Sequence, residues 1–192
     1  MRTYEELKKA VADWMYRTDL DAVIPQFIAF AEADIFRQLR VRDLERFFTG
    51  DSVNKRIALP DDFVAVKSMK LAGDMGYALR LAPVEEVNTT KAYIPIFYAI
   101  QGNDIVLNQD GEIEAVICIK PAPLSENNST NIVLIKYPSL YLWGALRYAC
   151  NYVKDAENEA AYLSQFTQAM SEINNADYGD RYAGKLTSRV TA

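Results

Sequence analysis

Near the start of the chain Leu7, Ala10, Val11, Trp14 and Met15 recur at three- and four-residue steps while Glu5, Lys8, Lys9 and Asp13 fall between them, which is one apolar helix face. Thr3 and Glu6 stand at the spacing where a hydroxyl and a carboxylate cap a helix start reciprocally, so a helix is expected over 3–17. Thr18-Asp19-Leu20-Asp21 has turn chemistry, and Pro25 is tolerated only in a first helical turn, which places a second helix at 22–39. Its apolar set, Phe27, Ile28, Phe30, Ala31, Ile35, Phe36 and Leu39, is too wide for one contact and implies neighbours on two sides. The short link between the two helices predicts an antiparallel pair.

From Phe47 the period changes. β-rich runs at 55–59, 63–71, 77–82, 96–101, 104–107 and 115–120 are separated by Gly, Pro, Asn and Asp clusters, giving a mostly antiparallel β-region. Gly102-Asn103-Asp104 should join Tyr98-Ala99-Ile100 to Ile105-Val106-Leu107 in a tight turn, and Asn108-Gln109-Asp110-Gly111 should be a second connection. Pro83-Val84-Glu85-Glu86-Val87 reads as a helical turn, and the polar tract 125–131 as a loop.

Helical periodicity returns after Pro138. Over 139–153 Arg147 is the one charge, and Leu140, Tyr141, Leu142, Trp143, Leu146, Tyr148, Tyr152 and Val153 surround the axis, so this helix should sit centrally. Asp155 can cap a last helix over 156–175, with Ala160, Leu163, Phe166, Met170 and Ile173 as its seam. The remainder from Tyr178 has no periodicity and is basic in an acidic protein, which suits a segment that binds elsewhere.

Composition narrows the function. With 192 residues, 50% hydrophobic and 24% charged, the chain is expected to be one soluble domain. A net charge of −5 argues against gripping nucleic acid, and no apolar stretch is long enough to suggest a membrane span or a signal peptide. There is no histidine, which removes the commonest general base and every His-containing metal site, and no phosphate-binding glycine loop occurs. Asp61-Asp62, Glu85-Glu86 and Glu112 with Glu114 could in principle run carboxylate chemistry but read better as solvated charges. Cys118 and Cys150 read as buried hydrophobes. The twelve tyrosines and two tryptophans lack the basic groove that nucleic-acid stacking needs, so they are expected in cores and subunit contacts. Arg147 should either pair with a buried carboxylate or mark a subunit contact.

Taken together, the helical pair, Ala58-Leu59-Pro60-Asp61-Asp62-Phe63, Phe97-Tyr98-Ala99-Ile100, Tyr137-Pro138-Ser139-Leu140-Tyr141-Leu142-Trp143-Gly144-Ala145-Leu146 and Asn174-Asn175-Ala176-Asp177 resemble the head-to-tail adaptor (connector) proteins of tailed phages, particularly the short-tailed kind related to tail tubular protein A. The resemblance implies an α+β fold: a four-helix bundle, two helices N-terminal and two C-terminal, with a small antiparallel β-rich insertion at about 47–136. It implies one adaptor domain over 1–177 and an extended C-terminal docking segment over 178–192. It further implies a non-enzymatic virion subunit of the neck, assembled in the host cytoplasm, without cofactor or metal.

The partners implied are the portal protein, the tail nozzle or tube, further copies in a ring of about twelve, and, as a further candidate, tail fibres. Such a ring would carry a formal charge of roughly −60, so DNA would pass through it unbound. Portal docking is expected from Tyr178, Arg181, Tyr182, Lys185, Leu186 and Arg189, and subunit contacts from Phe27, Phe30, Phe36, Tyr141, Trp143, Arg147 and Tyr148. The competing readings are a virion-associated carboxylate hydrolase and a module that binds a fibre or a host surface.

Overall fold

A computed structural model describes residues 1–73 and 76–182. In chain order the elements are α1 (Tyr4–Met15), α2 (Ile24–Gln38), a 3-10 turn at Arg42–Leu44, β1 (Glu45–Asp51), β2 (Arg56–Ala58), β3 (Phe63–Leu71), β4 (Arg80–Leu81), α3 (Val84–Thr89), β5 (Phe97–Gln101), β6 (Asp104–Leu107), β7 (Glu112–Ile119), α4 (Ile132–Lys136), α5 (Pro138–Val153) and α6 (Ala156–Tyr182). They form two units: a helical one from Met1–Asp43 and the chain from Pro121 onward, and a β-rich one spanning Leu44–Lys120.

In the helical unit α1 starts as its capping residues predict, with the Glu6 amide donating to Thr3 Oγ1 at 3.2 Å and the Glu6 carboxylate accepting from the Arg2 amide at 2.7 Å. Asp155 likewise caps α6 by accepting from the Asn158 amide. The unit is organised around α5, on which α1, α2, α4 and α6 all pack. Leu140, Tyr141, Ala145, Leu146 and Ala149 of α5 are fully buried, each large one contributing about 1.5–3 kcal/mol. Aromatic side chains fill the outer parts of these contacts: Trp14 meets Trp143 edge-on at 5.1 Å, Trp143 stacks on Tyr162 at 5.9 Å, and Phe27 leans on Tyr152 at 5.5 Å.

The β-rich unit has a sheet of order β1-β7-β3, all antiparallel, and a second of order β2-β6-β5-β4, in which β4 and β5 are parallel. Alternation sorts the faces. Ile113, Ala115 and Ile117 of the first sheet and Tyr98, Ile105 and Leu107 of the second share one core with Ile57, Leu59, Met69 and Leu79. Ala99 and Val106 point from the other face of the second sheet onto Val87 of α3, so that sheet is covered on both sides. The tight turn between β5 and β6 forms as expected, pairing Gln101 with Asp104 and placing Gly102 at φ 64°.

The four-helix bundle with a small β-rich insertion is therefore corrected. Among the described residues there are six α-helices and seven strands in two sheets, and the β-rich part has its own two-sheet core. The insertion ends at Lys120, not near 136, because Asn131 caps α4 through the Leu134 amide at 2.9 Å and the apolar run 132–135 packs as helix on α5. The last helix continues past 175 to Tyr182, so residues 178–182 are helical, not extended.

Gly144 sets the approach of α2 to α5. A Cβ there would meet Ala31 Cβ at 2.8 Å and the Phe166 ring at 3.3 Å. Overpacking of about 1–3 kcal/mol should outweigh the roughly 1 kcal/mol that alanine gains as a helix former. Gly144→Ala is therefore expected to lower the urea midpoint of unfolding; a raised midpoint would show that these helices separate at no cost.

Candidate functional site

Glu32 and Asp34 are the acids the periodicity left unremarked, and both are buried on α2. Glu32 falls four residues after Ile28 and three before Ile35, on the apolar stripe itself, a signal available in the sequence. Its carboxylate accepts from Tyr141 Oη at 2.7 Å, the Leu124 amide at 3.1 Å and Asn131 Nδ2 at 3.3 Å, all neutral donors. Burial raises the Glu32 carboxyl above its ordinary range, and burial together with the Glu32 charge raises the Tyr141 phenol. This network fixes the segment by which the chain re-enters the helical unit.

Asp34 takes the other role. It is held by the guanidinium groups of Arg147 and Arg37 and accepts from Tyr148 Oη at 2.7 Å. Burial alone would raise its carboxyl, but the bonds from Tyr148 and Arg147 and the charges of both arginines hold it below the usual carboxylate range. The Arg147 guanidinium also lies over the Tyr148 ring at 4.3 Å and near the Phe166 ring at 5.6 Å. Of the two roles open to Arg147, pairing with a buried carboxylate is the one seen within the chain.

Of the expected subunit-contact residues, Phe27 and Tyr141 are buried inside the unit, Tyr141 with its hydroxyl serving Glu32. Phe36, Trp143, Arg147 and Tyr148 are half-buried, and Phe30 is 46% exposed. Phe30 and Tyr152, with Gln26, Phe27, Tyr148 and Asn151, line a shallow groove of about 260 Å³. Trp14 is 48% exposed beside Trp143 and Tyr162. Of the expected docking residues, Tyr178 is exposed on α6, and Arg181 and Tyr182 fall in its last turn. Lys185, Leu186 and Arg189 lie outside the described residues.

The outgoing connection, from Gln38 to Asp43, is held from two directions. Asn174 Oδ1 accepts from the Arg40 amide at 2.9 Å and its Nδ2 donates to the Gln38 carbonyl at 3.3 Å. Asp177 Oδ1 accepts from the Arg42 amide at 3.0 Å and from Arg42 Nε at 3.1 Å. Asp43 pairs with Lys136 and accepts from Tyr137 Oη at 2.9 Å, while burial and the Asp43 contact push the Tyr137 phenol up to about 12. Between these clamps lies an open cleft of about 550 Å³ lined by Arg42, Asp43, Lys136, Tyr137, Ile173, Ala176 and Asp177. Its charges are paired with opposite ones, Arg42 with Asp177 and Lys136 with Asp43, which makes it a structural joint.

The carboxylate pairs do not converge. Asp62 binds Arg46 at 2.8 Å, Glu114 binds Lys70 at 2.7 Å from the outward face of β7, and Glu85 and Glu86 are exposed in the first turn of α3. Among the described residues no group of acids and cysteines could hold a metal ion, and no helix is long and apolar enough to cross a membrane. Cys118 and Cys150 are buried in different units and form no disulfide; burial, then Asp155 and Glu159, push Cys150 up to about 11.

What decides the class is a comparison along the chain: a family model described as SU10 adaptor protein matches residues 2–189. The chain belongs to the SU10 adaptor protein family. No curated protein matches it. The resemblance to phage head-to-tail adaptors carried by the Leu59, Tyr137 and Asn174 stretches is thereby borne out. As an adaptor the protein has a structural role in the virion and interacts with other head and tail components.

The two buried acids of the adaptor should shape its stability in opposite ways. Ionisation of Glu32, raised in the fold, costs stability, so stability falls as pH rises from the ordinary carboxylate range near about 4 through its raised value. Asp34, lowered in the fold, contributes stability above that range and loses it as pH falls through its lowered value. In thermal unfolding across pH, Glu32→Gln should flatten the decline on the upper side and Asp34→Asn the loss on the acid side. Unchanged slopes in both variants would contradict this assignment.

Proposed function

We propose that the chain assembles into a ring of about twelve copies that joins the portal to the tail nozzle or tube and surrounds the DNA channel. The family match over residues 2–189 carries this reading. It is supported by aromatic surface left exposed in two places on the helical unit, Trp14 beside Trp143 and Phe30 beside Tyr152, where a monomer gains nothing by exposing it. The work is geometric and not catalytic: the acids that could do chemistry are spent on arginine, lysine and backbone partners or stand apart. A weakly acidic ring repels passing DNA and holds none of it.

The division of labour we propose assigns subunit contacts to Phe30, Phe36, Trp143 and Tyr148, and portal docking to the end of α6 and the residues after it, from Tyr178 through Arg189. In the β-rich unit Leu81, Tyr93, Ile94 and Ile96 are exposed around β4 and the loop before β5, a surface suited to a tail component. Assembly of the particle component takes place in the host cytoplasm on this reading.

Mixing the purified chain with a portal dodecamer and imaging by electron microscopy should show a ring on the portal's narrow end. Deleting Tyr182 to Ala192 should abolish that attachment while leaving the circular dichroism spectrum essentially unchanged. Docking by the truncated chain would overturn the assignment of the tail, and the absence of any complex with the full chain would overturn the ring.

A further inference from the structure

Residues 39–41 link the end of α2 at Gln38 to the 3-10 turn that starts at Arg42; the C-cap Leu39 is extended at φ −74°, ψ 126°, and among the described residues no strand pairs with this link. The amides of Arg40 and Arg42, two residues apart, both donate to α6. A helix offers neighbouring side chains three residues apart, and Asn174 and Asp177 have that spacing. Asn174 matches a peptide unit in both senses, accepting from the Arg40 amide and donating to the Gln38 carbonyl. Asp177, with its side chain only 10% exposed, binds both the amide and the guanidinium of Arg42 through one oxygen. The α6 side chains thus take up two amides and a carbonyl of the chain that leaves α2.

These two residues lie in the last turns of a helix that runs to Tyr182. The end of a helix is its least protected part, because its final carbonyls have no intrahelical partner, and its folded fraction responds to anything that orders or loosens it. Gly179, two residues beyond Asp177, weakens that end further.

We infer that the end of α6 is a coupling element, through which ordering of the C-terminal turns tightens the grip of Asn174 and Asp177 on the connection by which the chain leaves the helical unit. This rests on the proposed docking role of the C-terminus for its trigger, while the coupling itself is a property of the chain alone. The two-state element is the helix end: ordered, it holds Arg40 and Arg42; frayed, it releases them. Docking of the residues that follow would be felt at Asp43, where Lys136 and Tyr137 take up the hold.

Hydrogen exchange of the full chain, read at the Arg40 and Arg42 amides, tests this without any partner. Gly179→Ala, which strengthens the helix end and replaces neither clamp residue, should slow exchange at both amides on the order of two- to fivefold. Asp180→Pro should speed it by at least that factor, with the central amides of α5 unmoved in both variants. Unchanged exchange at Arg40 and Arg42 in the two variants would overturn the coupling. With portal added, wild-type exchange at these amides should slow further, and Asn174→Ala with Asp177→Ala should remove that response. Docking without any change at Arg40 and Arg42 would also overturn the inference, whereas failure of the full chain to dock would refute the ring reading and leave the exchange result of the Gly179 and Asp180 variants to judge the coupling.

Discussion

A helix with apolar residues on every side cannot lie on a surface, and α5 forces the rest of the helical unit to close around it. Leu140, Tyr141, Ala145, Leu146 and Ala149 have no solvent-facing alternative, so α1, α2, α4 and α6 are each drawn against a different side. Closeness then becomes the limiting quantity. Gly144 lets Ala31 and Phe166 approach where any Cβ would collide, and that approach in turn brings Asp34 within reach of Arg147 and Tyr148. The polar contacts in this unit follow from the packing, because a buried carboxylate is tolerable only where donors are already converging.

The two buried acids solve that problem differently. Asp34 is neutralised by two arginines at the edge of the core, where guanidinium groups can keep one side toward water. Glu32 lies deeper and has only neutral donors, which satisfy its lone pairs without cancelling its charge. Such a site ties three separate pieces of chain, α2, α5 and the returning segment near Leu124 and Asn131, to one carboxylate. A hydrophobic residue there could fill the space but would take the Glu32 acceptor from the Leu124 amide and the Tyr141 hydroxyl, at about 1–3 kcal/mol for each buried group.

Much of the element order was legible because local chemistry and packing agree there. The strands over 63–71 and 104–107, the Gly102-Asn103 turn and the Thr3 and Asp155 caps follow from alternation, turn residues and capping alone. The misreadings lie where tertiary contact overrides local preference. β1 carries adjacent Phe47 and Phe48 between charged ends, with no alternation to announce it, and is a strand because it pairs with β7 along its whole length. α4 is built from β-branched residues that would favour a strand, and is helical because Asn131 caps it and α5 packs against it. α6 passes through Asn174, Asn175 and Gly179, all poor helix formers, because Asn174 and Asp177 are occupied by residues 38–42. Glu32 and Asp34 stayed hidden since an acid within an apolar stripe reads as an interruption until the donors that meet it are known.

The stretches that carry the family likeness have a common structural office. Pro60-Asp61-Asp62 turns the chain between β2 and β3, with the Phe63 amide donating to the Pro60 carbonyl and Asp62 bound to Arg46. Tyr137-Pro138 starts α5 while Tyr137 holds Asp43, and Asn174 with Asp177 holds the connection just before it. Each sits where the chain passes from one element to another, and the two that line the open cleft, Tyr137 and Asp177, are bound there to Asp43 and Arg42. The distinctive residues of this adaptor are thus spread over several such passages. A protein whose task is to hold other parts at fixed positions must spend them on its own crossings, because an error of angle at a crossing is carried outward to every surface the protein presents.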